Sequence, residues 1–266
     1  MVPGIAAWLS AVAAVAISFS LPPAPPPGSW PVAANCHSME KFIDCVPVAP
    51  NGRKVFLSVA CHDWGTGECH ENAGCEDFGE NANSLVIAEQ TTWGTQGGVK
   101  NERNLLERGY AVRIGLGTAP QNVVSSNAFL QDTTRALHIA LHSNATGFDP
   151  CLPDSWLSDK AGTKLLYAQD GGRQAGEAIL RSLGPASPGP IDEILERLDI
   201  SELNLTAAPS AYIEAEFHTW SPGVSWLNDA PKWTWRIGAG VDDCFGTPRA
   251  GEAPAATRLC SWAAAT

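Results

Sequence analysis

The chain has 266 residues, enough for one sizeable core, and its 44% hydrophobic and 17% charged content belongs to a globular protein. A formal charge of −11 excludes the electrostatic footprint of a nucleic-acid binder or of a protein held on an anionic membrane surface, since both need clustered Lys and Arg.

Residues 5–21 are almost free of polar groups and carry no charge, and a proline-rich stretch over 22–27 follows. This reads as a secretory signal or an uncleaved N-terminal anchor with its spacer, and either route exports the chain. All eight cysteines lie after that segment, and an even number in an exported chain implies up to four disulfides. Cys36 with Cys45 and Cys244 with Cys260 would each staple a terminal segment. A zinc knot of Cys61, Cys69, His70 and Cys75 competes with disulfides but lacks the CxxC pair that favours such knots.

The run VFLSVA over 55–60 suits a buried strand and leads into Cys61-His62-Asp63-Trp64-Gly65-Thr66-Gly67, a glycine-punctuated loop. Ligands bind outside the carboxyl ends of strands in open α/β sheets, so His62 is well placed. Residues 80–90 read as a helix with Glu80 in its first turn, and 99–108 as a second helix stopped by Gly109. A strand over 110–115, a helical or irregular link over 122–135 and a strand over 137–141 ending in His142-Ser143-Asn144 come next. Another strand is expected at 165–169, amphipathic helices at 175–183 and 191–198, and a late strand, AYIEAEF, at 211–217. From about residue 232 the tail carries Trp233, Trp235 and Trp262 with little periodicity, as a disulfide-held flap, a carbohydrate-facing platform or a cover for the core. The alternation of strands and helices defines an α/β fold: three αβα layers around a mixed or mainly parallel sheet, with disulfide-pinned ends.

His62, Glu80 and His142 stand at strand ends or a helix start. Catalytic zinc takes three N/O ligands and keeps one position open, which two His and one Glu satisfy. A further carboxylate must move the proton between water and leaving group, and Glu214 in the late strand can supply it. Spacing alone leaves each of these residues an ordinary structural reading as well. A serine hydrolase is disfavoured, because no serine lies in a G-x-S-x-G context. His138 shares a strand face with His142 and reads as core or support rather than ligand; His218 either orients substrate or has no role.

The segments VFLSVACHDWGTGE, GENANSLVIA, ERGYAVRIG, SSNAF, LHIALHSNA and ELNLTAAPSAYIEAEFHTW, spread over about 55–228, resemble the zinc-dependent N-acetylmuramoyl-L-alanine amidases of the family 3 type. The resemblance implies Zn2+ on His62, Glu80 and His142, with Glu214 as catalytic residue and peptidoglycan or its muropeptide fragments as substrate. It divides the chain into a signal or anchor (1–28), a disulfide-containing extension (29–54), a catalytic domain (55–229) and a Trp- and Cys-containing extension (230–266), in a secreted or cell-wall-associated protein. Departures from the pattern leave choices open. The histidine loop lacks a proline and a glycine, and the connection after the Glu80 helix is longer, so Glu89 competes with Glu80 as ligand. Glu216 stands where the family has glycine, either as a rival to Glu214 or as a neighbour that raises its pKa by like-charge repulsion. Another zinc amidohydrolase or peptidase on the same scaffold, and a non-catalytic wall-binding protein, are the alternative functions.

Overall fold

A computed structural model describes residues 35–96, 99–100, 104–146, 151, 157, 159–248 and 258–263. The apolar and proline-rich segment over 1–28 lies outside the described residues, and among those described no helix is long and apolar enough to cross a membrane.

The chain enters with a small antiparallel pair, β1 (Cys36–Ser38) and β2 (Phe42–Cys45), then β3 (Lys54–Val59) and α1 (Glu80–Trp93). A two-stranded ribbon of β4 (Thr95–Gln96) and β5 (Val99–Lys100) precedes β6 (Ala111–Gly115), α2 (Ala119–Phe129) and β7 (Ala136–Asn144). The second half runs β8 (Lys164–Tyr167), α3 (Asp170–Leu183), β9 (Glu193–Glu196) and α4 (Ser201–Asn204). It ends with β10 (Ser210–Phe217), α5 (Ser221–Leu227) and α6 (Pro231–Phe245).

Eight strands form one mixed sheet in the order β1-β2-β6-β3-β7-β10-β8-β9. Its centre, β6-β3-β7-β10, is parallel, while β2 and β8 run antiparallel to the strands they flank. Strand alternation assigns the two faces. Val55, Leu57, Ile139, Leu141, Ile213 and Ala215 join α1, α3 and α6 in the main core. Phe56 points the other way, packing with Leu130, Ala136 and Ala208 on the side of α2. Helices on both faces make the three layers expected from the alternating pattern.

Local signals explain the helix ends. Thr118 and Gln121 form a capping box at the start of α2. Gly94 ends α1 at φ 80° and Gly246 ends α6 at φ 66°, left-handed positions that suit glycine.

Three sequence expectations are corrected. The described part of 99–108 is not helical: Val99–Lys100 pair as β5 with β4 and turns over 105–108 lead to Gly109, while residues 101–103 lie outside the described residues. The stretch at 191–198 contains strand β9, a short charged edge that pairs with β8, rather than an amphipathic helix. The tail begins with the long helix α6, in which Trp233, Ile237, Val241 and Cys244 are buried. Gly240 obscures the helical signal, yet a Cβ there would lie 2.5 Å from the Cα of Ile179, so the glycine permits close packing of α6 on α3. Trp233 is buried and Trp262 donates its indole N–H to the Gly171 carbonyl, so these two cover the core rather than face a glycan.

The disulfides are Cys36–Cys45, Cys61–Cys69, Cys75–Cys151 and Cys244–Cys260. The first and last pin the two ends as expected. The middle two rule out the zinc knot, because Cys61, Cys69 and Cys75 are all consumed in S–S bonds. Four disulfides belong to an oxidising, extracytoplasmic compartment.

Candidate active site

The site is built at the carboxyl ends of β3 and β7. Past Val59 the chain turns out of the sheet and reaches His62, whose backbone forms an antiparallel bridge with His70. The Cys61–Cys69 disulfide closes the same loop, so backbone pairing and a covalent link together position the His62 ring. Glu80 opens α1, where the helix dipole favours a carboxylate, and is only 1% exposed. His142 lies near the end of β7 and stacks on Tyr212 of β10 with ring centroids 4.3 Å apart.

These elements bring the three expected residues together. Nε2 of His62 lies 2.8 Å from Glu80 Oε2, and Nδ1 of His142 lies 3.0 Å from Glu80 Oε1. The Ser143 backbone N–H donates to Oε1 at 2.9 Å, and Asn72 Nδ2 donates to Oε2 at 2.9 Å. Burial disfavours the Glu80 carboxylate, but the hydrogen bonds from His142 and His62 outweigh it and hold the group well below its usual range. Burial likewise opposes charge on His142, and Glu80 reverses the balance and raises it.

One donor atom from each of His62, Glu80 and His142 lies within 4.8 Å of the other two. Two imidazoles and a buried carboxylate are a donor set that zinc accepts, and its ligation would replace the contacts now made among the donors. Glu89 is elsewhere. Nine residues farther along α1, at about 100° each, it lies on the opposite side of the helix from Glu80.

Glu214 is directly opposite His142 in the parallel β7–β10 ladder, so both side chains leave the same face. Its Oε2 is buried without a hydrogen-bond partner among the described residues. Burial, with Glu80 adding repulsion against attraction from His142 and Arg197, lifts the carboxyl to about 8. The like-charge neighbour is therefore Glu80, not Glu216 as the sequence suggested. Glu216 is a strap: Oε1 accepts from the N–H groups of Gly162 (2.9 Å) and Phe217 (3.0 Å), while Oε2 accepts from Gly189 N–H (3.1 Å) and the Ser187 hydroxyl. The ladder shifts register between Glu214 and Phe217, which separates the surroundings of the two glutamates.

Two further histidines, His138 and His218, fall into supporting places. His138 is fully buried, stacked on Phe56, with Nδ1 2.9 Å from the Ser126 hydroxyl. His218 braces the site from behind, with Nδ1 2.9 Å from Ser143 Oγ and Nε2 3.3 Å from Asn72 Nδ2. Asn72 and Tyr212 were not legible as site residues: an asparagine in a disulfide-rich loop and a strand tyrosine carry no spacing signal.

The site thus offers a nitrogen–oxygen donor set for a divalent transition-metal ion, with the half-buried carboxyl of Glu214 beside it. Comparison with solved structures gives the fold a closer description, that of N-acetylmuramoyl-L-alanine amidase catalytic domains. The catalytic domain of CwlV, an N-acetylmuramoyl-L-alanine amidase from Bacillus (Paenibacillus) polymyxa var. colistinus, aligns with TM-score 0.55 at 13% identity, over 72% of this chain and 97% of its own. The N-acetylmuramoyl-L-alanine amidase AmiC2 of Nostoc punctiforme gives 0.55 at 13% identity, over 73% and 97%. The N-acetylmuramyl-L-alanine amidase Ami1 of Mycobacterium smegmatis gives 0.53 at 16% identity, over 73% and 96%. No protein-family model and no curated protein matches the sequence.

Proposed function

We propose that this chain hydrolyses the amide joining the lactyl group of N-acetylmuramic acid to L-alanine in peptidoglycan, as a zinc enzyme that is secreted or associated with the cell wall. The observation that carries the reading is the cluster of His62, Glu80 and His142 with Glu214 in register beside it, at the strand ends of a muramoyl-amidase fold. The four disulfides support export.

His62, Glu80 and His142 would hold the ion. When bound, zinc supplies Lewis-acid polarisation of the scissile carbonyl and lowers the pKa of water. The chain's own residues do the rest. Glu214 accepts a proton from the attacking water as the new carbon–oxygen bond forms, then returns it to the departing amine nitrogen of L-alanine as the carbon–nitrogen bond breaks. Burial lifts its carboxyl to about 8, and a cation held beside it would lower that value and favour the carboxylate that accepts the proton. Asn72, the Ser143 N–H and His218 keep the Glu80 carboxylate oriented between the imidazoles.

The test is product analysis on purified peptidoglycan with zinc-loaded protein. New L-alanine amino termini, with one zinc per chain lost in His142→Ala, are expected. Peptidoglycan left without new L-alanine termini by the zinc-loaded protein would overturn the wall-amidase reading.

A further inference from the structure

The loop that carries His62 contains a side chain that neither the fold nor the metal site uses. Trp64 is 69% exposed, so its indole adds little to the core. Its φ is 45°, in the left-handed region that a bulky residue rarely enters. Gly65 and Gly67 share that sign of φ, and glycine at 64 would satisfy the turn without strain. Residues held at such φ values cluster at functional sites, which directs attention to the indole, although Glu76 and Asp77 also adopt positive φ.

The loop around it is cross-linked. Beyond the Cys61–Cys69 disulfide, His70 N–H donates to the His62 carbonyl at 3.0 Å and Thr66 N–H to the Asp63 carbonyl at 3.0 Å. Asp63 also accepts from the Gly67 N–H, and Thr66 Oγ1 lies 2.7 Å from His70 Nε2. The His70 ring stacks on Trp64 at 5.2 Å and 11° between planes, which backs one face of the indole. Even with that contact the side chain is 69% exposed, so most of the indole stays open to solvent. The Trp64 and His62 rings are 6.3 Å apart, so the platform borders the metal ligands.

We propose that Trp64 is a stacking platform for an N-acetylated pyranose ring of the glycan strand, positioned beside His62 so that the sugar is gripped while its lactyl amide is cut. The proposal rests on the wall-amidase reading for the identity of the amide. Three bonds separate the lactyl carbonyl carbon from the sugar ring in such a substrate, so a carbonyl at the metal brings the pyranose next to the His62 loop. The ring is neutral and presents C–H groups on its faces, the surface that a flat aromatic side chain with a polar edge can cover. The formal charge of −11 leaves ionic attraction little part in gripping such a strand.

Two measurements on the zinc-loaded protein test this. The first is calorimetric titration with N-acetylchitotetraose, a peptide-free strand of N-acetylated pyranoses. Binding is expected to weaken about tenfold in Trp64→Gly, which suits the positive φ and removes only the ring, and to recover in Trp64→Phe. The second is peptidoglycan hydrolysis, where Trp64→Gly should raise KM about tenfold and change kcat much less. Equal affinity in wild type and Trp64→Gly, or no binding by wild type, would overturn the platform. The two readings fail separately. Glycan binding that depends on Trp64 without any new L-alanine terminus leaves the platform and sinks the amidase; L-alanine release with KM unchanged in Trp64→Gly does the reverse.

Discussion

Glu214 and His142 stand opposite each other across the parallel β7–β10 pair, on the same face of the sheet. That register places an orphaned, buried carboxylate oxygen next to one of three clustered donors. Two residues farther along β10 the ladder shifts, and Glu216 turns into a web of backbone N–H groups. One strand therefore carries two carboxyls in different surroundings, the proposed catalytic Glu214 and the hydrogen-bonded Glu216, and the two should fail differently when removed.

Glu214→Gln is expected to keep one zinc per chain and lose activity by about two to four orders of magnitude, the usual worth of a general base. Glu216→Ala leaves three backbone N–H groups and a hydroxyl without their acceptor, so it should lower unfolding stability by roughly 3–5 kcal/mol. Zinc content, turnover and urea midpoints of both variants check this. A Glu216→Ala protein with a normal midpoint but no activity would reverse the two roles.

The metal site should weaken in acid. Zinc needs a neutral imidazole, and Glu80 raises the pKa of His142 above its ordinary 6.5, so protons compete with the ion from a higher pH than at an unpaired histidine. Zinc affinity, measured by chelator competition, is expected to begin falling at a pH above the ordinary 6.5 of histidine and to go on falling below it. Activity should vanish on chelation and return with added zinc. An affinity that stays constant down to pH 5.5 would mean that His142 is not a ligand.

Why some of this was readable in sequence, and some was not, follows from the range of each interaction. His62 and His142 follow strand-like runs and Glu80 opens a helix, so local patterning placed them at element ends, while the family resemblance picked them out as a ligand set. The choice against Glu89 needed only helix geometry once α1 was known to begin at Glu80. Strand β9 was misread because four residues, Glu-Ile-Leu-Glu, fit either period, and its pairing with β8 decides the matter. Helix α6 was missed because Gly238 and Gly240 depress local propensity, and Gly240 gains its meaning only against Ile179, a long-range contact. The separation of Glu214 from Glu216 depends on a register shift that no alternation rule anticipates.

The two middle disulfides should have unequal effects. Cys75–Cys151 closes a separation of 76 residues and Cys61–Cys69 one of 8, so chain entropy assigns roughly 4–5 and 2–3 kcal/mol to them. Replacing the first pair with serine should lower the melting temperature more. Replacing the second should cost more zinc affinity, because it frees the loop that positions His62. The idea fails if both double variants keep wild-type zinc affinity.

Glu89 carries a pH signature of its own, outside the metal cluster. Burial raises its carboxyl from 4.5 to about 8, and Oε1 has no hydrogen-bond partner among the described residues. Below pH 4.5 the group is protonated in both the folded and the unfolded chain, and its stabilising contribution is fully present. Between 4.5 and 8 the unfolded chain releases the proton while the folded one retains it, so stability falls as pH rises, and the loss is complete above 8. The total is on the order of a few kcal/mol. Glu89→Gln removes the titration. Urea unfolding should show the variant gaining on wild type steadily between pH 4.5 and 8, by that amount at the upper end. The same variant should bind zinc as wild type does, whereas Glu80→Gln should not. A Glu89→Gln protein that lost its zinc would transfer the third ligand back to Glu89; a constant stability difference across the pH range would show that the buried carboxyl does not titrate as its surroundings require.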